Sequence, residues 1–156
     1  STGSRARPTT WQNLLASQSV KLHQPSANEL RQLRAVAARD LKDARIRQIS
    51  TDRRFATSYN AALQLATIAI DCEGYRVSGL GHHYTTFRAV ELALGDEASS
   101  FVSYFEQCRK KGNQVDYDIV DVVTDADADD LLEKVMEFET FVNRWIAKRH
   151  PEFTPK

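Results

Sequence analysis

The chain has 156 residues, 42% hydrophobic and 27% charged, with 21 Lys/Arg against 21 Asp/Glu and a formal net charge of zero. That length predicts one domain with a real core, and the composition is that of an ordinary water-exposed globule rather than a disordered or fibrous chain. No apolar run approaches the ~18 residues needed to span a bilayer, and Ser1–Thr10 lacks the apolar centre of a signal peptide, so a cytoplasmic protein is expected.

Taken in order, Thr9 or Thr10 is positioned to cap a short helix with Trp11, Leu14 and Leu15 on its apolar side, ending near Val20. His23-Gln24-Pro25 reads as a linker. Ser26-Ala27-Asn28-Glu29 has the form of a capping box. It opens a helix with Leu30, Leu33, Ala37, Leu41 and Ala44 at spacings of three and four. A second cap falls at Ser50-Thr51. The helix from Thr51 to Gly74 carries a broad face of Phe55, Tyr59, Ala62, Leu63, Ala66, Ala69 and Ile70, whose small members allow close helix approach. Gly74 suits the left-handed residue that ends it.

Tyr75–Gly81 reads as a glycine loop, and His82-His83-Tyr84 opens a helix through Phe87, Val90 and Leu94 that Gly95 stops. Asp96 or Ser99 begins the next, striped by Phe101, Tyr104, Phe105 and Cys108, and Gly112-Asn113 is expected to break or bend it. Asp125-Ala126-Asp127 places carboxylates where a helix dipole favours them. The last helix runs through Leu131, Val135, Phe138, Val142, Trp145 and Ile146 to Pro151. No strand is predicted, and Ile119–Val123 reads as a helical turn or an extended connector. The fold class is therefore all-α: an antiparallel helical bundle over residues 26–150, with a short-helix segment at 1–25 and a tail at 151–156. Cys72 and Cys108, single residues inside helical patterns, are expected to be buried reduced thiols.

Charge is unevenly placed. Between Glu29 and Arg54 stand eight Arg/Lys against four carboxylates, and between Asp116 and Glu139 ten carboxylates against Lys134. Two helix faces that attract each other explain this. So does a basic surface for phosphates beside an acidic one for a different partner.

The stretch Glu106–Asp118, EQCRKKGNQVDYD, concentrates the candidate chemistry. Arg109, Lys110 and Lys111 either complement a helix C-terminus or hold a phosphate, Arg109 as a bidentate ligand. Asn113 either stops the helix or offers its amide to a base edge or ribose hydroxyl. Tyr117 is either a half-buried core residue or a stacking and hydrogen-bonding group. Asp116 and Asp118 balance the cations. His82 and His83, adjacent on a helix, diverge by about 100° and do not share a metal ion. No metal and no cofactor are expected. Gly79-Leu80-Gly81 is not a phosphate loop, lacking both a preceding strand and a following Gly-Lys-Ser/Thr.

Three stretches together resemble the HEPN domain family (higher eukaryotes and prokaryotes nucleotide-binding): Leu30–Ala44, with A-x-x-D-L-x-x-A at Ala37–Ala44; Phe55–Tyr84, with Y-N-A-A at Tyr59–Ala62; and Arg109–Asp118, RKKGNQVDYD. The resemblance spans about Asn28–Trp145. It implies a helical bundle that commonly forms homodimers and, in many members, a metal-independent ribonuclease built on Arg, a polar residue and His. Here the motif departs. If Asn113 matches the family's Asn, Gly112 replaces its Arg and Tyr117 its His. If Arg109 matches the Arg, no His follows in the window. Tyrosine, with an ordinary pKa of about 10, is poorly matched to proton transfer at neutral pH. The R…D-Y form resembles the branch that accompanies nucleotidyltransferases. It implies a binding module for a nucleotide or RNA, with Arg109, Lys110, Lys111, Asn113 and Tyr117 at the site, in a toxin–antitoxin or defence setting. The alternatives are a ribonuclease with an atypical centre, Arg109 stabilising the phosphorane and Tyr117 or His82/His83 supplying a proton, and a helical protein–protein interaction domain.

Overall fold

The computed structural model describes residues 9–78, 82–115 and 123–155; the side chains of His82 and of residues 113–115 lie outside that description. Among the described residues six helices make up the bundle: α1 (Trp11–Ala16), α2 (Ala27–Ala44), α3 (Thr51–Cys72), α4 (His82–Leu94), α5 (Ser99–Val115) and α6 (Asp125–Arg149). Single 3-10 turns at Asp96–Ala98 and Pro151–Phe153 lead into α5 and follow α6. The all-α expectation holds, with one addition. Two three-residue strands, β1 (Val20–Leu22) and β2 (Tyr75–Val77), pair antiparallel in the register Val20 to Val77 and Leu22 to Tyr75. The expectation of no strand was therefore wrong, and helix α1 stops at Ala16 rather than near Val20.

Local chemistry sets the helix starts. The side chains of Thr10, Ser26, Ser50 and Thr124 each accept a hydrogen bond from a backbone N–H three residues on. Such caps satisfy donors that the first turn leaves orphaned. At Thr124 the box is complete, because the Asp127 carboxylate returns to the cap's own N–H. At Ser26 only half of the expected box forms: Glu29 turns its carboxylate away to His23 and Arg76. Gly74, with φ of +90°, ends α3 in a conformation that costs glycine little, and its carbonyl accepts from the His23 N–H at 2.9 Å.

Helix α3 is the hub. It packs against α2, α4, α5, α6 and β2. Ala61, Ala62, Ala66 and Ala69 are fully buried along it, so neighbouring backbones come close. Leu65, Ile68 and Ile70 fill the space between. A second part of the core is aromatic. Phe105 lies 5.4 Å from Phe87 and 5.1 Å from Phe138, ring centre to ring centre, joining α4, α5 and α6. Helix α5 runs unbroken through Gly112 to Val115, so the break expected at Gly112-Asn113 does not occur. A Cβ at Gly112 would meet nothing nearer than a Phe55 ring carbon at 4.0 Å, and one glycine inside a packed helix costs only about 1 kcal/mol. Cys72 and Cys108 are free and buried, as expected. No helix among the described residues is long and apolar enough to cross a membrane.

Candidate functional site

The cations of α5 leave the helix in different directions. Residues two apart on a helix are about 200° apart around its axis, so Arg109 and Lys111 face different neighbours. Lys111 turns to α6, its Nζ 2.8 Å from Asp127 Oδ2, and lines a cavity of about 190 Å³ with Phe55, Tyr104, Gln107 and Cys108. The Lys111 hydrogen bond, first among several, holds the Asp127 carboxyl below its ordinary value. Lys110 is exposed. Arg109 turns to α4. Its Nε and Nη2 lie 3.3 Å from the Glu106 carboxylate one turn earlier, and its guanidinium stands 5.9 Å from the centre of the Tyr84 ring.

Tyr84 is the notable surface residue on that side. The residue is 52% exposed, and a second guanidinium, from Arg88 one helical turn along α4, also stands 5.9 Å from the centre of its ring. A cation over an aromatic face is held by the ring's quadrupole. Beside it, the exposed His83 ring lies 5.6 Å from that of Tyr59 on α3. The Tyr59 hydroxyl is buried with no hydrogen-bond partner among the described residues, and burial, then the nearby Glu106, pushes its pKa well above the phenolic range. It is therefore no proton donor at neutral pH. Arg109, Tyr84, Arg88, His83 and Glu106 form one polar patch across the α4–α5 face. Sequence reading placed Arg109 and His83 among its candidates but passed over Tyr84 and Arg88. The one available signal was the i, i+4 spacing of an aromatic and an arginine at a helix start. Tyr117, Asp116 and Asp118, and the Asn113 side chain, lie outside the described residues.

The basic band meets the acidic helix directly. Arg54, 3% exposed, donates from Nε to the Ala44 carbonyl at 2.9 Å and from Nη2 to Asp129 at 2.6 Å, and Arg47 lies 3.1 Å from the same carboxylate. The Thr51 hydroxyl donates to Asp125. Attraction between the two faces thus accounts for part of the uneven charge.

A further cluster had no signal in the sequence. His23 Nε2 lies 2.7 and 2.9 Å from the two Glu29 oxygens, and the Arg76 guanidinium bonds Glu29 and lies 3.4 Å from Asp71 Oδ2. Asp71 is 0% exposed and its Oδ1 has no partner among the described residues. Burial, only partly offset by Arg76, raises its pKa to about 6. Burial also pushes Glu29 up, but the His23 hydrogen bond and the Arg76 charge outweigh it and hold Glu29 low. One ligand atom each from His23, Glu29 and Asp71 fall within 4.8 Å of one another, a spacing that suits a metal ion. Arg76, however, already occupies the cationic position between the two carboxylates. The cluster is read as an ionic clamp joining β1, α2, α3 and β2.

No family model matches the chain, and no curated protein or solved structure matches it.

Proposed function

We propose that the chain is a HEPN-like module that binds a nucleotide or RNA without cutting it, forms a homodimer, and works beside a nucleotidyltransferase in a toxin–antitoxin or defence system. The observation that supports binding is the pair of guanidiniums, Arg88 and Arg109, set against one exposed aromatic ring, Tyr84. Arginine forks match phosphate oxygens, and an exposed ring offers a stacking face to a base. Glu106 orients Arg109 through contacts of 3.3 Å or more, long for charge-assisted bonds and therefore open to exchange for a phosphate. Two of the stretches that carry the resemblance also meet: Asn60 donates to the buried Asp40 at 2.6 Å, tying α2 to α3. Lys111, held by Asp127 on the α6 side of α5, stands away from this patch. A binding role rather than a catalytic one is favoured because the chain departs from the family's Arg–polar–His motif: no His follows Arg109 in the window.

The test is fluorescence anisotropy with a labelled single-stranded RNA and a labelled mononucleotide. Arg109→Glu should abolish binding while lowering the melting temperature by a few degrees only: the pair with Glu106 is half-buried, and a loss of about 1 kcal/mol moves the midpoint of a chain this size by about 2–4 °C. Absence of binding by the unaltered chain overturns the proposal. RNA cleavage in EDTA that disappears in Arg109→Ala would replace it with the ribonuclease reading.

A further inference from the structure

The arginines of the basic band divide in two: Arg31, Arg34, Arg45 and Arg53 enter no ion pair among the described residues, and of these Arg31 and Arg34 share one cavity. Arg39, Arg47 and Arg54 all face carboxylates. Arg34 is half-buried. Its Nη2 donates to the Phe153 carbonyl at 3.0 Å, but its Nε is fully buried and finds no acceptor. Burial, the foremost influence on it, lowers its pKa, as expected for a cation removed from water without a counter-ion beside it.

Both guanidinium-bearing side chains line a cavity of about 320 Å³ between the start of α2 and the turn after α6. Leu30, Phe153 and Pro155 supply apolar wall. The cavity's carboxylate, Glu152, does not neutralise the arginines. It is 59% exposed and lies 3.5 Å from His150 Nδ1 instead. Two cations against one anion leave the cavity's lining net positive.

We propose that this cavity binds a small organic anion, its carboxylate or phosphate group on Arg31 and Arg34 and its apolar part against Leu30, Phe153 and Pro155. The guanidinium fork matches either oxyanion. The volume lies at the lower end of ligand cavities, which run from about 300 to 1,000 Å³, and suits a single ring bearing one charged group. The site is separate from the Tyr84 patch and does not depend on the nucleotide-binding proposal.

Amide chemical shifts of the full chain, titrated with phenyl phosphate, benzoate and inorganic phosphate, test this. The expected result is saturable shifts at residues 27–34 and 151–155 with one or both ring-bearing anions, the stronger binder identifying the preferred oxyanion. Inorganic phosphate should bind more weakly. Arg31→Ala, an exposed position on α2, should raise Kd about tenfold, the scale of one lost charge-assisted bond. Glu152→Gln should lower it. Arg34→Met removes the buried donor but also frees the Phe153 carbonyl, so Arg31→Ala is the deciding variant. No saturable shift at millimolar probe, an unchanged Kd in Arg31→Ala, or shifts centred on Tyr84 and Arg88 would each overturn the assignment.

Discussion

Asp71 is a buried carboxyl with one oxygen bonded by Arg76 at long range and the other without a described partner. Its pKa in the fold, about 6, lies above the ordinary value of 3.8. Between those two values the folded chain keeps a proton that the unfolded chain has released. Stability therefore falls as pH rises from about 4 to about 6, and the cost persists above that. Glu29, held below its ordinary 4.5, acts the other way: its contribution is full above that value and is lost as pH falls through its lower, folded value. The two windows barely overlap, so they can be separated. Asp71→Asn should flatten the decline between pH 4 and 6 in urea titrations and leave the loss below pH 4.5 in place. An unchanged slope between pH 4 and 6 would show that the decline belongs to other groups. None of this was legible in the sequence, where Asp71 is one more acidic residue near a helix end. Its burial follows from β2 and α2 closing over the last turn of α3.

At the scale of elements, the ends of α2, α3 and α6 are joined by Arg54. Its guanidinium takes the Ala44 carbonyl at the end of α2 and Asp129 in the first turns of α6, while its backbone belongs to the first turn of α3. Arg54→Met keeps much of the stem but leaves the carbonyl without its donor. Such losses cost about 1–3 kcal/mol, which chemical denaturation would register as a lower midpoint at unchanged m-value. A change under about 0.5 kcal/mol would mean that water replaces the guanidinium freely. Sequence reading placed Arg54 in the basic band and foresaw attraction to the acidic helix, but not that this residue is the buried one. The helices themselves were legible because their apolar spacing and caps are local. The strands were not. Val20–Leu22 and Tyr75–Val77 are three residues each, too short for alternation to register, and lie more than 50 residues apart in the chain. Glu29 misled in the same way. A capping box is a local pattern, and two partners outside it, His23 six residues earlier and Arg76 far along the chain, outcompeted it. Gly112 misled because propensity is a weak prior against tertiary packing.

Across the whole molecule, the zero net charge is made of neutralised opposites. Asp129 takes Arg47 and Arg54, Asp127 takes Lys111, and Glu73 takes Arg149. A chain so balanced offers little long-range attraction to a polyanion, so RNA binding has to come from a local patch. The candidate site was legible to the extent that Arg109 is on it; the companions Tyr84 and Arg88 come from α4, and only the packing of α4 on α5 brings them there. If two arginines carry the phosphate contacts, counter-ion release fixes the salt dependence. Each phosphate neutralised on a single strand contributes a slope of about −0.7 in log K against log salt, so two give about −1.4. Anisotropy titrations across a fourfold range of salt should return that value, and Arg88→Ala should reduce it by about half. A slope of −3 or steeper would assign the basic faces of α2 and α3 to the RNA as well. A slope near zero would take the phosphate out of the contact and leave stacking on Tyr84 as the source of affinity.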